Sequence, residues 1–137
     1  MTVRYLADKS ALTRLDQEPV AEELAPRLNL RMVATCPIVD LEMLYSARNA
    51  GDHARAASER SRLPSVDIDR IVTDRALAVQ SLLAQRGQHR LPIPGLLIAA
   101  AAEVNDLVVL HYDADFDRIA DVTGQTSEWV VPKGSVT

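Results

Sequence analysis

Carboxylates define the chemistry this chain can attempt. Asp8 follows a short apolar run at residues 3–7, and Ser10 opens a helical pattern just after it. Asp113, Asp115 and Asp117 alternate beyond a second apolar run at 107–110. Both runs read as strands that feed helices, which puts Asp8 and Asp113 at strand carboxyl ends, the edge where open α/β sheets bind ligands. Two carboxylates held that close repel each other unless a cation or a shared proton intervenes. The pattern therefore predicts a hard divalent metal on oxygen ligands.

The other reactive residue types offer less. Cys36 lies in an apolar stretch with no histidine near it in sequence, which marks a buried structural thiol, and a lone cysteine allows no intramolecular disulfide. His53, His89 and His111 lack the spacing of a metal-ligand set, so all three are read as structural or solvent-facing, with His111 a possible substrate contact. Arg48, Arg55, Arg60 and Arg62 fall on or beside two consecutive helices, as either a phosphate-contacting rim or a solvated face. Aromatic residues make up 4% of the chain, too few for base-stacking platforms, so any nucleic acid would be recognised by backbone shape and hydrogen bonds.

Positioning these groups requires alternating strands and helices. The first strand, 3–7, leads into residues 10–29, where Leu12, Leu15, Val20, Leu24 and Leu28 recur at helical intervals. Pro19 and Pro26 argue against one unbroken helix there. A second strand at 31–35 precedes a helix opened by Pro37 and carrying Val39, Leu41, Leu44 and Tyr45, with Glu42 inside it. Asp52 reads as the cap of an arginine-rich helix ending near Leu63, followed by an extended link at 65–67. A helix over 70–86, with Ile71, Ala78, Leu82 and Leu83 among its apolar positions, stops at Gly87. Residues 91–95 read as a stiff extended turn, 96–104 as a helix buried on most sides, and 107–110 as a central parallel strand. A closing strand at 128–131 and a loose tail complete the chain. This order implies a parallel sheet with helices on both faces, in one domain over residues 1–132 with a tail at 133–137.

Size and charge fit that reading. At 137 residues and 15.0 kDa, with 47% hydrophobic residues, the chain can bury one core without disulfides or a structural metal. No stretch has the h-region of a signal peptide or approaches the roughly 20 apolar residues of a membrane span, so the expected location is the cytoplasm, with no membrane partner. A net charge of -4 weakens a nucleic-acid reading without excluding it, because a metal locally cancels the carboxylates that bind it.

Over nearly its whole length the chain resembles the PIN-domain ribonuclease toxins of the VapC type. The matching residues are Leu6-Ala7-Asp8-Lys9-Ser10-Ala11-Leu12 at the first strand end, Val39-Asp40-Leu41-Glu42 in the helix after the second strand, and His111-Tyr112-Asp113-Ala114-Asp115-Phe116-Asp117 after the late strand. Three motifs in order at these separations are far more specific than any one. The resemblance implies an α/β PIN domain whose central, mainly parallel sheet has four to five strands. It implies a toxin–antitoxin endoribonuclease using Mg2+ or Mn2+ to hydrolyse RNA phosphodiesters, with Asp8, Glu42 and Asp113 as catalytic metal ligands. Asp115 is a second ligand candidate, and Ser10 would orient a carboxylate or a substrate oxygen. It also implies a VapB-type antitoxin as partner, with Leu12, Leu15, Leu44 and Tyr45 lining its groove or belonging to the core, and a homodimer.

One departure stands out. The family places an aspartate at the start of its Ala-rich helix, where this chain has Gly95, in Pro94-Gly95-Leu96-Leu97-Ile98-Ala99-Ala100. Glycine cannot ligate, so the resemblance implies weakened metal binding and very low cleavage, whether the glycine was introduced to silence a toxic enzyme or arose naturally. The rival from another class is a non-catalytic module of the same fold that binds RNA or antitoxin. A haloacid-dehalogenase-type phosphatase would need a second aspartate where Ser10 stands, and a receiver domain would need a late strand-end lysine that the chain lacks.

Overall fold

The computed structural model describes residues 2–137. Its sheet is built from β1 (Tyr5–Ala7), β2 (Val33–Ala34), β3 (Val108–His111) and β4 (Ser127–Trp129) in the order β2-β1-β3-β4, with every pair parallel. Neighbouring strand residues point to opposite faces, yet Leu6 and Ala7, and likewise Val109, Leu110 and His111, are all buried. Both faces are therefore covered, as the alternating pattern predicts. An isolated parallel bridge from Thr35 to Ser65 extends the β2 edge, so the expected link at 65–67 is partly sheet.

Among the described residues seven helices surround the sheet: α1 (Lys9–Leu12), α2 (Glu18–Asn29), α3 (Pro37–Tyr45), α4 (Ala50–Arg60), α5 (Arg70–Ala84), α6 (Ile93–Val104) and α7 (Asp115–Thr123). The region 10–29 holds two helices, but Pro26 lies inside α2 without ending it, while Pro19 sits in the first turn, where no amide partner is lost. Asp52 does not cap α4. Asn49 does, accepting the Asp52 amide at 2.9 Å. Along α5 the buried positions are Val72, Ala76, Val79 and Leu83, so the core face is turned away from Ile71 and Ala78, which are exposed. The supposed turn at 91–95 is already helical from Ile93, with Pro94 in the first turn. That shift sets Gly95 inside α6.

Helix α6 gives the core more buried residues than any other described helix: Leu96, Ile98 and Ala99 through Ala102. Small side chains let this helix approach β1, β3 and α5 closely. Helices α2, α5 and α6 end alike. Each has a residue in the left-handed region, at Arg31, Gly87 and Asp106, and the next amide reaches back to Arg27, Leu83 or Ala102. These Schellman endings fix the exits of the chain toward β2, the α5–α6 connection and β3.

Beyond Pro132 the chain touches the domain at a defined point. The Tyr112 hydroxyl donates to the Val136 carbonyl at 2.9 Å and accepts the Val136 amide at 3.2 Å. Among the described residues no helix is long and apolar enough to cross a membrane.

Candidate functional site

The chain runs from β1 outward to β2, then crosses back to β3 on the other side of β1, so β1 and β3 flank the point where strand order reverses. Asp8 leaves the end of β1 and Asp113 lies just past β3. A cleft of about 190 Å3 opens there, lined by Asp8, Glu42, Asp113 and Asp115 together with Lys9 and Gly95. The structure thus brings all four acidic candidates to one place. Ser10 stands behind them.

Local hydrogen bonds explain how each carboxylate is held. Asp8 is only 5% exposed, caps α1 and accepts the Ser10 amide on Oδ2 at 3.0 Å, while no protein donor reaches its other oxygen. That second oxygen opens on the cleft, where water or a cation can meet it. The Ser10 hydroxyl accepts the Tyr112 amide at 2.9 Å, which ties the end of β1 to the loop after β3. Asp113 accepts the Asp115 amide on Oδ1 at 2.9 Å, and Asp115 in turn accepts Arg118 at 2.7 Å. Asp117, in the first turn of α7, accepts the Trp129 indole N–H at 3.1 Å and links α7 to β4.

Glu42 is not free. Its Oε2 lies 3.3 Å from Lys9 Nζ, whose side chain is half-exposed. Sequence reasoning passed over Lys9 as a functional group, although its place between Asp8 and Ser10 was the signal that it borders the site. Arg14 was missed too. It donates to the Ser10 carbonyl at 2.6 Å and stacks its guanidinium over the Tyr112 ring at 4.6 Å, bracing the loop from outside.

A cation would have to fit these donors. They are all hard carboxylate oxygens, with free lone pairs on Asp8, Asp113 and Asp115. Among the described residues no three His, Cys, Asp or Glu side chains stand close enough to enclose an ion alone. Mg2+ takes one or two carboxylates and keeps several waters, so this open arrangement suits a partly hydrated divalent ion. At Gly95 a Cβ would meet nothing nearer than Phe116 Cζ at 4.0 Å. There is room for a side chain on that wall.

His111 is fully buried beneath the site, tilted against Phe116 and Trp129 at 4.9 and 5.0 Å between ring centroids. Its Nδ1 accepts the Asp113 amide at 3.1 Å, so the ring is neutral with its proton on Nε2, which has no partner. Burial lowers its pKa below the ordinary 6.5, although Asp117, Asp8 and Asp113 pull upward. The unfolded chain therefore takes up this proton more readily than the folded one. Stability should be full above pH 6.5 and decline as pH falls from there toward the depressed folded value. Between pH 7.5 and 5.5 the urea midpoint of the protein should drop more than that of His111→Asn, whose amide oxygen can still accept the Asp113 N–H; equal drops would contradict this.

Cys36 is buried, and burial raises its thiol pKa, as suits an unreactive structural group. The four arginines divide: Arg48 and Arg55 lie on a solvated face, one of the two readings their spacing allowed, and Arg60 turns inward. Arg48 and Arg55 both pair with Asp52 at 3.0 and 3.2 Å, and Arg60 is largely buried against Asp40 at 2.6 Å and Thr35 at 2.8 Å. Of the groove candidates, Leu12 belongs to the core and Leu15 packs against it, whereas Tyr45 is 92% exposed.

A PIN-domain family model matches residues 5–122. Ribonuclease VapC51 of Mycobacterium tuberculosis is 45% identical over 136 residues, covering 99% of both chains. Ribonuclease VapC21 of the same species is 43% identical over 137 residues, covering 98% of this chain and 99% of that one. Among solved structures, DNA-bound VapBC from Salmonella typhimurium aligns with a TM-score of 0.74 at 21% identity, covering 94% of this chain and 99% of that one. VapBC-1 from nontypeable Haemophilus influenzae aligns at 0.75 and 17%, covering 95% and 98%; at such identities the likeness concerns the fold.

Proposed function

Because this chain belongs to the PIN-domain family, in its VapC branch, we propose that it is the toxin of a toxin–antitoxin pair, an endoribonuclease attenuated by Gly95. The observation carrying this reading is the convergence of Asp8, Glu42, Asp113 and Asp115 on one cleft where strand order reverses. A bound Mg2+ or Mn2+ would supply Lewis-acid charge on the phosphodiester and lower the pKa of a water.

The protein's own contribution is placement. Asp8 and Asp113 present unpaired oxygens from rigid strand ends, and Ser10 and Arg14 hold the two loops together. Glu42 faces them across the cleft and, once released from Lys9, completes the set. Lys9 then has an ammonium free for a scissile phosphate. Leu91, Pro92 and Phe116 give the same cleft an apolar part to its lining.

Gly95 adds no oxygen, so the expected outcome is weak metal affinity and slow cutting. A specific observation also keeps a second reading open: without that ligand, the cleft suits a module that binds RNA or antitoxin and does not cut. The partners in the same proposal are a VapB-type antitoxin, as in the VapBC complexes of similar fold, and a second copy of the chain. Exposed Leu41 and Tyr45, beside Lys9 and Glu42, are surface an antitoxin segment can cover. Leu77 and Ile93, exposed along an apolar recess of α5 and α6, suit the homodimer. A cytoplasmic location goes with RNA as substrate.

The test is total RNA incubated with the protein in Mn2+ or in EDTA, with the cut ends mapped. Slow cleavage at defined positions in Mn2+, abolished by EDTA, is expected. Cleavage that EDTA leaves untouched would contradict the metal-dependent reading.

A further inference from the structure

An acidic protein that handles RNA must reserve some cations for phosphate, and the pairing pattern shows which are left over. Of the fifteen Lys and Arg residues, Lys9, Arg27, Arg48, Arg55, Arg60, Arg70, Arg75 and Arg118 are each matched to a carboxylate. Arg4 and Arg31 precede β1 and β2, and Arg31 donates to the Arg62 carbonyl. These three therefore sit at the amino ends of the strands, the edge opposite the cleft. Arg14 is committed to Tyr112, and Lys133 stands over Trp129 at 5.8 Å.

Arg86 and Arg90 remain. Both are exposed, and among the described residues neither side chain has a hydrogen-bond or ion-pair partner. They lie on the connection from α5 to α6, whose last residues, Leu91 and Pro92, line the cleft. Gly87 adopts φ 68°, its amide bonds to Ala84 at 3.0 Å, and the Gln88 amide bonds to Leu83 at 2.9 Å, so Arg86 is presented from a fixed helix exit, and Arg90 directly precedes the cleft-lining Leu91.

We propose that Arg86 and Arg90 form the phosphate-holding arm of this protein, gripping the backbone of a single RNA strand and leading it over Leu91 and Pro92 to the carboxylates. The assignment rests on the ribonuclease reading and adds where the strand is held. Guanidinium forks suit phosphate, and free cations at the mouth offset the repulsion an RNA strand would meet from Asp8, Asp113 and Asp115. Such contacts position the strand without selecting bases.

The experiment measures binding of a fluorescein-labelled single-stranded RNA to the full chain by anisotropy, in EDTA to prevent cutting, across a range of salt concentrations. The variant Arg86→Gln/Arg90→Gln should bind about 10-fold more weakly at low salt, and the slope of log affinity against log salt should fall by about 1.4, for two lost single-strand phosphate contacts. The control Arg4→Gln/Arg62→Gln, which removes the same charge from the far edge, should stay within about 2-fold of the parent. Both pairs are exposed, so thermal stability should not move. If the parent chain binds no RNA, the ribonuclease reading itself fails. If it binds and the Arg86/Arg90 variant matches it in affinity and slope, only the arm is refuted. Equal losses in both variants would also refute it, as would an oligoglutamate of equal charge that binds the parent as well and loses as much.

Discussion

Gly95→Asp should raise Mn2+-dependent RNA cleavage by about 100-fold or more, the scale on which a missing electrostatic or metal-orienting group slows an enzyme. The site is prepared for it. Gly95 is the third residue of α6 and lines the cleft, and a Cβ there meets only the Phe116 ring edge at ordinary contact distance. Helix α6 also lacks both a side-chain cap and an acid in its first turn. A carboxylate at 95 should therefore gain about 0.3–1 kcal/mol from the helix dipole. Repulsion from Asp8 and Asp113 works against that gain in EDTA, so the rise in Tm should emerge when Mn2+ is added. A Gly95→Asp protein that folds, yet cuts no RNA, would favour the non-catalytic module.

In that Gly95→Asp background, Asp8→Asn should lower cleavage by about 100-fold or more while leaving the fold intact. The two effects separate because Asp8 does two things. It caps α1 by accepting the Ser10 amide, a task asparagine performs about equally well, and it presents a charged oxygen to the cleft, which asparagine cannot do. Asp8→Ala should lose the cap as well, at about 1 kcal/mol. If Asp8→Asn keeps full activity, the carboxylate charge is not what the reaction uses.

The parts of the fold read from sequence were those with strong period and clear ends. The runs at 3–7 and 107–110 gave β1 and β3, and the same two strands gave the edge at which Asp8 and Asp113 meet. Where local signals conflicted, tertiary context decided. Two prolines and a glycine between His89 and Leu96 suggested a stiff turn, but prolines at the start of a helix cost no hydrogen bond, so α6 begins two residues before Gly95. Asp52 has the composition of a cap but lies three residues too late, and Asn49 takes the position.

Side-chain pairing was the least legible feature. Nothing in the spacing shows that Arg60 turns inward to Asp40, or that Asp117 serves Trp129, because both bonds join residues from different elements. The Lys9–Glu42 pair is of the same kind, joining α1 to α3. Periodicity assigns a residue to a face, whereas its partner depends on how two faces meet. Glu42 shows the difference: as a mid-helix glutamate it carried no signal of its own, and only the family pattern singled it out.

Anomalous diffraction from a crystal of this protein soaked in Mn2+ addresses the account most directly. A single strong peak in the cleft, in contact with Asp8 and Asp113 and with Glu42 drawn away from Lys9, is the predicted result. A map with Mn2+ bound elsewhere on the surface and none in the cleft, with the Lys9–Glu42 pair still closed, would contradict it.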